Sequence, residues 1–316
     1  MPARRSPSRR LCSLQLHLSG AAVESTFEKK QAYVQPSPGA AFYHEYPSSS
    51  TMYSAEDTEA AVPHPAMTPG ERLHLEINGY VVIKDVFSKE ECAAMIEQIF
   101  AIEQALHASA DPTTWTPHPA THLQGRTHEF FRVDNLPHLC KEFFDFCTHP
   151  RIRGFAAEAC GGRVRIGQSD AHIHRGKRER PPEAAERIAR EGGFGFHGGY
   201  GGNFAPQIHT VDSNGLTHCA FMKCLTNLTD LDSPEDGGTT VIAGSHKIHN
   251  TVDRAAMVAA ALEDPTLIHH VVAPAGSTLV FFESLLHSGG SGLTYNGKER
   301  ILILGTRIST VELCRT

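Results

Sequence analysis

The sequence lacks several features that mark particular classes of protein. No apolar run approaches the roughly 20 residues that a membrane-spanning helix needs. Basic residues are not in excess either, because 29 Lys and Arg stand against 35 Asp and Glu, which gives a formal net charge of -6. Proteins that bind nucleic acid usually carry a basic surface. The composition therefore predicts neither a membrane span nor a nucleic-acid partner.

The eight cysteines include no C-x-x-C pair. They are scattered along the whole chain, at Cys12, Cys92, Cys140, Cys147, Cys160, Cys219, Cys224 and Cys314. A disulfide framework is typical of short secreted chains with closely spaced cysteines. Here the spacing instead indicates free thiols packed in the core of a protein from a reducing compartment.

The N-terminal segment is predicted to be a targeting leader, residues 1–23. It contains four arginines and no acidic residue before Glu24, as organellar transit segments do. Within it, Arg10-Leu11, five further residues and then His17-Leu18 match the N-terminal peroxisomal import signal. Such a signal is read by an import receptor and is no membrane anchor. The sequence thus predicts a peroxisomal protein, with mitochondrial, plastid or cytoplasmic location as alternatives.

Composition divides the remainder of the chain into an arm and a folded domain. Residues 24–68 are rich in Ser, Pro, Ala and Tyr without sustained periodicity, which predicts a disordered or extended arm. Residues 69–316 are the predicted domain. It begins with a predicted helix over 71–77 and a strand over 80–83, and helices are also predicted after the capping box formed by Ser88 and Glu91, and over 150–159.

Three residues far apart in the sequence are the candidates for chemistry. His197 follows a glycine-rich run, His287 follows the strand-like segment Thr278 to Phe282, and Arg300 opens an apolar alternating segment. Strand ends and turns of a cupped all-β scaffold converge in space even when they are distant in sequence. Two imidazoles and one permanently charged guanidinium would then share one site.

The order of these segments resembles the phytanoyl-CoA dioxygenase family of non-haem iron, 2-oxoglutarate-dependent oxygenases. The likeness covers about three quarters of the chain, from Glu71 to Ile308, and includes the acidic-Gly turn at Glu235-Asp236-Gly237 and the Gly244-Ser245-His246 motif. It implies a mainly β fold, with a double-stranded β-helix (jelly roll, cupin-like) core and flanking α-helices. It also implies Fe(II) and 2-oxoglutarate as cofactors and an acyl-CoA or lipid-like small-molecule substrate.

The resemblance assigns a role to each candidate residue. His197 and His287 take the positions of the two metal-binding histidines, and Arg300 that of the residue pairing with the far carboxylate of 2-oxoglutarate. Arginine suits this role because its planar guanidinium binds a carboxylate through two parallel hydrogen bonds. Gln168 is a further candidate for contact with the metal-bound end of 2-oxoglutarate, and Arg307 is the alternative to Arg300.

The chain departs from the family pattern at Gly199, where the metal-binding aspartate is expected. One interpretation is a halogenase, in which chloride occupies the ligand position that the glycine leaves open. A second is that a carboxylate from elsewhere, Asp212 or Asp170, completes the usual set of two histidines and one carboxylate. A third is that water fills the position and the metal site is weak.

Other histidines offer competing interpretations. Asp170, His172 and His174 alternate along a predicted strand and would share one face, so they are a candidate for a rival metal site, the alternative being ordinary core or rim residues. His246 is expected to fix a loop by hydrogen bonding. The remaining histidines near the candidate site carry no assigned role: His209, His218 and His249.

These observations favour an Fe(II)/2-oxoglutarate-dependent oxygenase that hydroxylates an unactivated aliphatic C–H bond. The alternative is a halogenase with chloride at the position that Gly199 opens. A second alternative is a ligand-binding barrel without catalytic turnover.

Overall fold

A computed structural model describes residues 66–108, 130–175, 195–198, 209–211, 215–248, 254–289 and 296–309, all within the folded unit Phe42–Thr316. The helices are α1 (Pro69–Asn78), α2 (Lys89–Ala108), α3 (Lys141–Thr148), α4 (Pro150–Ala159) and α5 (Arg254–Glu263). The strands are β1 (Tyr80–Ile83), β2 (Phe130–Asp134), β3 (Val164–Arg175), β4 (His209–Val211), β5 (Thr217–Cys219), β6 (Phe221–Asn227), β7 (Thr240–Ile242), β8 (Ile268–His270), β9 (Thr278–Phe282), β10 (His287–Ser288) and β11 (Glu299–Ser309). No helix in these ranges is long and apolar enough to cross a membrane.

The first elements form where local signals predict them. Thr68 and Glu71 form a capping box at the start of α1, and Gly79 ends the helix with φ 81°, a conformation that glycine adopts without strain. Ser88 and Glu91 exchange the same pair of hydrogen bonds before α2. The observed bounds of α1, α4 and β1 confirm the predicted helices over 71–77 and 150–159 and the predicted strand over 80–83.

The predicted leader, residues 1–23, and nearly all of the predicted arm, 24–68, lie outside the described residues. The last residues of that arm do contact the folded domain. The amides of Ala66 and Met67 donate to the Glu158 carboxylate on α4, at 2.7 and 3.0 Å. These two bonds attach the start of the described chain to the helices.

A six-stranded antiparallel sheet, in the order β1-β9-β6-β11-β3-β2, forms the centre of the domain. Successive side chains of a strand point to opposite faces, so each strand contributes to two environments. One face, called the outer face, packs against α2, α3 and α4. Its buried apolar side chains include Val81, Met222, Val280, Ile301 and Ile303, together with Ile99, Phe143 and Phe155 from the helices.

The opposite face, called the inner face, is covered by a smaller sheet in the order β10-β7-β8. Val241 of the small sheet is buried together with Leu225, Leu279, Phe281 and Leu302 of the large one. The two antiparallel sheets therefore pack face to face, with helices outside. This confirms a mainly antiparallel β fold with flanking helices. A functional site would lie at an end of the inner face, beyond the apolar residues buried between the two sheets.

Candidate functional site

The two candidate histidines lie side by side. Their main chains form an antiparallel bridge, with the His197 amide donating to the His287 carbonyl and the reverse bond also at 2.9 Å. The ring centroids are 4.2 Å apart. His197 is exposed, whereas His287 is buried, and its ring centroid lies 4.5 Å from that of Phe281 on the inner face, with the two rings tilted by 56°. The structure thus brings the pair together at one end of the inner face.

The imidazole of His287 is held in the form that binds metals. Its Nδ1 donates to the Leu285 carbonyl at 2.8 Å, and because a carbonyl only accepts, the proton is on Nδ1. Burial, followed by the charge of His197, lowers the pKa of His287 to about 3. The ring is therefore neutral at pH 7, with the Nε2 lone pair available. A ligating histidine usually has its other nitrogen fixed by such a bond.

Gly198, which sequence reasoning did not single out, makes the close packing of this pair possible. Its φ is +89°, and a Cβ atom there would lie 2.5 Å from the Leu285 oxygen and 2.9 Å from His287 Nδ1. Any side chain would displace the ring. The sequence offered one signal of this close packing, namely a glycine directly after the candidate ligand His197. Its neighbour Gly199 lies outside the described residues, as does Asp212, so the open ligand position stays a prediction.

Arg300 is a buried cation without a matching anion in the described part of the chain. It is 3% exposed and lies on the inner face, because it precedes the inner-face residue Leu302 by two positions on β11 and alternate residues of a strand share a face. The guanidinium donates to the Gly237 carbonyl, while its Nε has no hydrogen-bond partner. Burial lowers its pKa to about 10, so it is still charged at pH 7. A buried charge of this kind is costly until an anion joins it.

The acidic-Gly turn supplies the carbonyl that orients Arg300. Gly237 ends the turn Pro234–Asp236 with φ 78°. Asp236 fixes the turn by accepting from the amides of Asp232 and Ser233 and from Lys298. The turn is therefore a support for Arg300 and contributes no ligand of its own.

The alternative arginine, Arg307, lies on the outer face and is ruled out as the anion-binding residue. Its guanidinium donates to the carbonyl of Cys147 at 2.7 Å and to that of Thr306 at 3.1 Å. Met222 is its register partner on β6, and Met222 belongs to the core beneath the helices. Alternation along β11 separates the two arginines onto opposite faces.

The rival metal site at Asp170, His172 and His174 is wrong. The three residues do share a face of β3, but Asp170 accepts from Arg132 at 2.9 Å and from Gln168 at 2.6 Å. Among the described residues, no three His, Cys, Asp or Glu side chains are grouped so that they could hold a metal ion. This also removes Asp170 as the replacement carboxylate. Gln168 is exposed, and its proposed contact with 2-oxoglutarate stays a prediction.

The other histidines near the motif have separate positions. His246 is fully buried, and its ring contacts the Glu76 carbonyl at 3.2 Å through Nε2, which confirms a loop-fixing role. His209 lies on β4 and His218 on β5, whereas His249 is outside the described residues. A surface groove of about 330 Å³ between α1, β1 and β8 has none of the candidate site residues in its lining.

Glu283 is a second residue that sequence reasoning missed. It is 4% exposed, and its Oε2 has no hydrogen-bond partner. Burial raises its pKa to about 7, against the opposing charge of Lys223. Its position one residue beyond β9 gave no signal in the sequence, since the burial of a single residue after a strand cannot be read from the sequence.

The pKa of Glu283 predicts a pH-dependent loss of stability. Because the folded-state value of about 7 exceeds the ordinary 4.5, this group stabilises the fold below pH 4.5 and that contribution is lost as pH rises through 7. The Glu283→Gln variant should gain about 3 kcal/mol relative to the wild type between about pH 5 and about pH 8. Denaturant unfolding at both pH values measures this difference. The exposed Glu97→Gln variant is the control, and an equal gain there would contradict the prediction.

Comparison with known proteins identifies the fold. No protein-family model and no curated protein matches the sequence. Among solved structures, HygX from Streptomyces hygroscopicus with nickel and 2-oxoglutarate bound is similar, with a TM-score of 0.56 and 19% identity over 77% of this chain and 88% of that one. EctD from S. alaskensis with 2-oxoglutarate and 5-hydroxyectoine gives 0.54 and 18% identity over 78% of this chain and 77% of that one.

A third structure has the same fold. The non-haem alpha-ketoglutarate-dependent carbocyclase SnoK from nogalamycin biosynthesis aligns with a TM-score of 0.52 and 18% identity, over 77% of this chain and 84% of SnoK. At these identities the likeness establishes the fold alone. The chain therefore has the antiparallel, helix-flanked fold that proteins working with a non-haem metal and 2-oxoglutarate also have.

Proposed function

We propose that this protein is a non-haem Fe(II)/2-oxoglutarate-dependent oxygenase with a double-stranded β-helix core. The observation that carries the proposal is the pairing of His197 and His287 at one end of an inner face that also contains the uncompensated Arg300. A binding barrel without turnover would need neither the neutral imidazole of His287 nor the buried cation. The solved structures with this fold, crystallised with iron, nickel or 2-oxoglutarate, support the same cofactors.

His197 and His287 would hold the iron, and Arg300 would hold the far carboxylate of 2-oxoglutarate. Iron with this cosubstrate supplies the oxidising power for an unactivated C–H bond, and the protein supplies binding and orientation. Arg300 has an unpartnered Nε available, so a carboxylate would satisfy both its charge and its hydrogen-bonding capacity. The apolar side chains of Leu225, Leu279 and Leu302 exclude water from the cosubstrate.

Halogenation is the second candidate, and one observation favours it. No carboxylate of the described residues joins the histidine pair to make a three-residue metal site. With Gly199 at the aspartate position, chloride would restore the missing negative charge.

An acyl-CoA or lipid-like substrate is supported by the sequence resemblance only. Peroxisomal import through residues 1–23 completes the proposal, and microscopy of a reporter fused to that segment tests it.

An anaerobic titration with Fe(II) and 2-oxoglutarate tests the function. We expect the weak visible charge-transfer band of the iron chelate, formed when 2-oxoglutarate binds the metal. A band that shifts on addition of chloride makes halogenation the function, because the halide then shares the metal. A band that is indifferent to chloride assigns hydroxylation. If no band appears, the protein is a binding barrel and the oxygenase proposal fails.

A further inference from the structure

Two opposite charges lie beside the histidine pair on the inner face without pairing with each other. Lys223 on β6 is in register with Phe281 on β9, whose ring centroid lies 4.5 Å from that of His287. Lys223 therefore lies close to the position that a substrate must approach.

Glu283 faces the same space from the neighbouring strand. Its amide donates to the Phe221 carbonyl at 3.0 Å, which extends the pairing of β6 with β9 by one residue and puts Glu283 on the inner face with Phe281. The turn that follows lies against Gly198, where a Cβ atom would be 3.0 Å from the Glu283 carbonyl oxygen. The carboxylate is thus part of the same end of the inner face as the histidines.

The two charges influence each other without an ion pair. The charge of Lys223 opposes the rise that burial causes in the pKa of Glu283, yet no ion pair of 4.0 Å or less joins the two side chains among the described residues. Lys223 Nζ instead donates to Thr306 Oγ1 at 3.3 Å and lies 5.2 Å over the ring of Phe221. Glu283 keeps a buried oxygen without a partner. A buried carboxylate in this state is costly unless a donor joins it.

We propose that Lys223 and Glu283 bind a zwitterionic substrate of the α-amino acid class, with its ammonium group on Glu283 and its carboxylate on Lys223. The proposal rests on the proposed function, since it names the substrate class of the same site. A substrate with both charges satisfies the unpartnered Glu283 oxygen and avoids repulsion between its ammonium group and Lys223. A hydrocarbon chain would bury Glu283 without any partner, which argues against the acyl-CoA substrate that the sequence resemblance implies.

Calorimetric titration of the anaerobic protein, loaded with Fe(II) and 2-oxoglutarate, tests this substrate class. The probes are the protein amino acids, each added separately. For every amino acid that binds, two analogues follow: the same side chain without the ammonium group and the same side chain without the carboxylate. We expect at least one amino acid to bind and both of its analogues to bind about tenfold more weakly or worse, because each loses a charge-assisted hydrogen bond. Analogues that bind equally well, or no binding by any amino acid, would overturn the proposal.

Two variants assign the effect to the named residues. Glu283→Gln keeps the shape of the side chain, and its affinity should fall about tenfold for the amino acid and stay unchanged for the deaminated analogue. Lys223→Met should lower the affinity for the amino acid to a similar extent and leave the affinity for the analogue without the carboxylate unchanged. Glu97→Gln, on the surface of α2, is the matched control. Equal losses for all probes would indicate a structural effect and refute the assignment. The charge-transfer band with Fe(II) and 2-oxoglutarate reports separately on the proposed function, so the two failures are distinguishable.

Discussion

Replacing Arg300 by leucine is expected to weaken 2-oxoglutarate binding by about 100-fold or more without loss of stability. Removing one partner of a buried, hydrogen-bonded charge pair costs about 2–5 kcal/mol of binding free energy. The free protein loses the hydrogen bond to the Gly237 carbonyl, and this loss is offset by removal of a buried charge that has no carboxylate beside it in the described chain. Removal of such a charge is often neutral or stabilising. Anaerobic titration of the charge-transfer band and thermal unfolding measure the two effects.

Arg307→Leu is the matched control and should behave in the opposite way. Its guanidinium satisfies the buried carbonyls of Cys147 and Thr306. Loss of these bonds should cost about 3 kcal/mol of unfolding free energy and leave the affinity for 2-oxoglutarate unchanged. Arg300→Lys should recover only part of the affinity, since an ammonium group does not reproduce the two-bond geometry. If Arg307→Leu weakened the cosubstrate and Arg300→Leu did not, the assignment of the two faces of β11 would be incorrect.

Gly198→Ala should weaken metal binding by about 10–100-fold, although the substitution adds a single methyl group. The new Cβ atom would lie 2.5 Å from the Leu285 oxygen and 2.9 Å from His287 Nδ1, so the ring and its supporting carbonyl would have to separate. Disturbing the bond that orients a ligating histidine typically costs about 10–100-fold in metal affinity. The overpacking and the φ of +89° add about 3 kcal/mol of destabilisation. Metal competition titration and thermal unfolding report both losses.

Gly195→Ala separates the backbone cost from the steric one. Gly195 also has a positive φ, +52°, but a Cβ atom there meets nothing within 4 Å in the described structure. It should lose only about 1 kcal/mol and retain its affinity for metal. Equal metal affinities for the two alanine variants would show that Gly198 has no part in positioning His287.

The secondary structure was predictable where the signal is local. Capping at Thr68 and Ser88 and the turn at Gly79 each depend on residues within a few positions of one another. The inward direction of Arg300 was also predictable, because alternation along a strand fixes which residues share a face. The choice between Arg300 and Arg307 depended on the structure, since it required knowing which face the helices cover.

The rest of the site depends on contacts between distant segments. Asp170 looked like a ligand because the sequence does not show that Arg132, on the neighbouring strand β2, forms an ion pair with it at 2.9 Å. Gly198 matters because its backbone packs against the carbonyl of Leu285, in the turn between β9 and β10, which is distant in the sequence. Glu283 is unusual only because it is buried, and burial of a single turn residue has no signature in composition or periodicity.

Because of the main-chain bridge between His197 and His287, the two ligand-bearing segments come together during folding and before metal binding. The bridge consists of two peptide hydrogen bonds and involves neither imidazole, so it forms as the chain folds. The entropy lost in closing the long loop between these segments is therefore offset by folding, and metal binding does not have to supply it. In small zinc domains, by contrast, the metal itself drives folding. This protein should fold first and bind its metal afterwards, so that closing the loop does not lower its affinity for the metal.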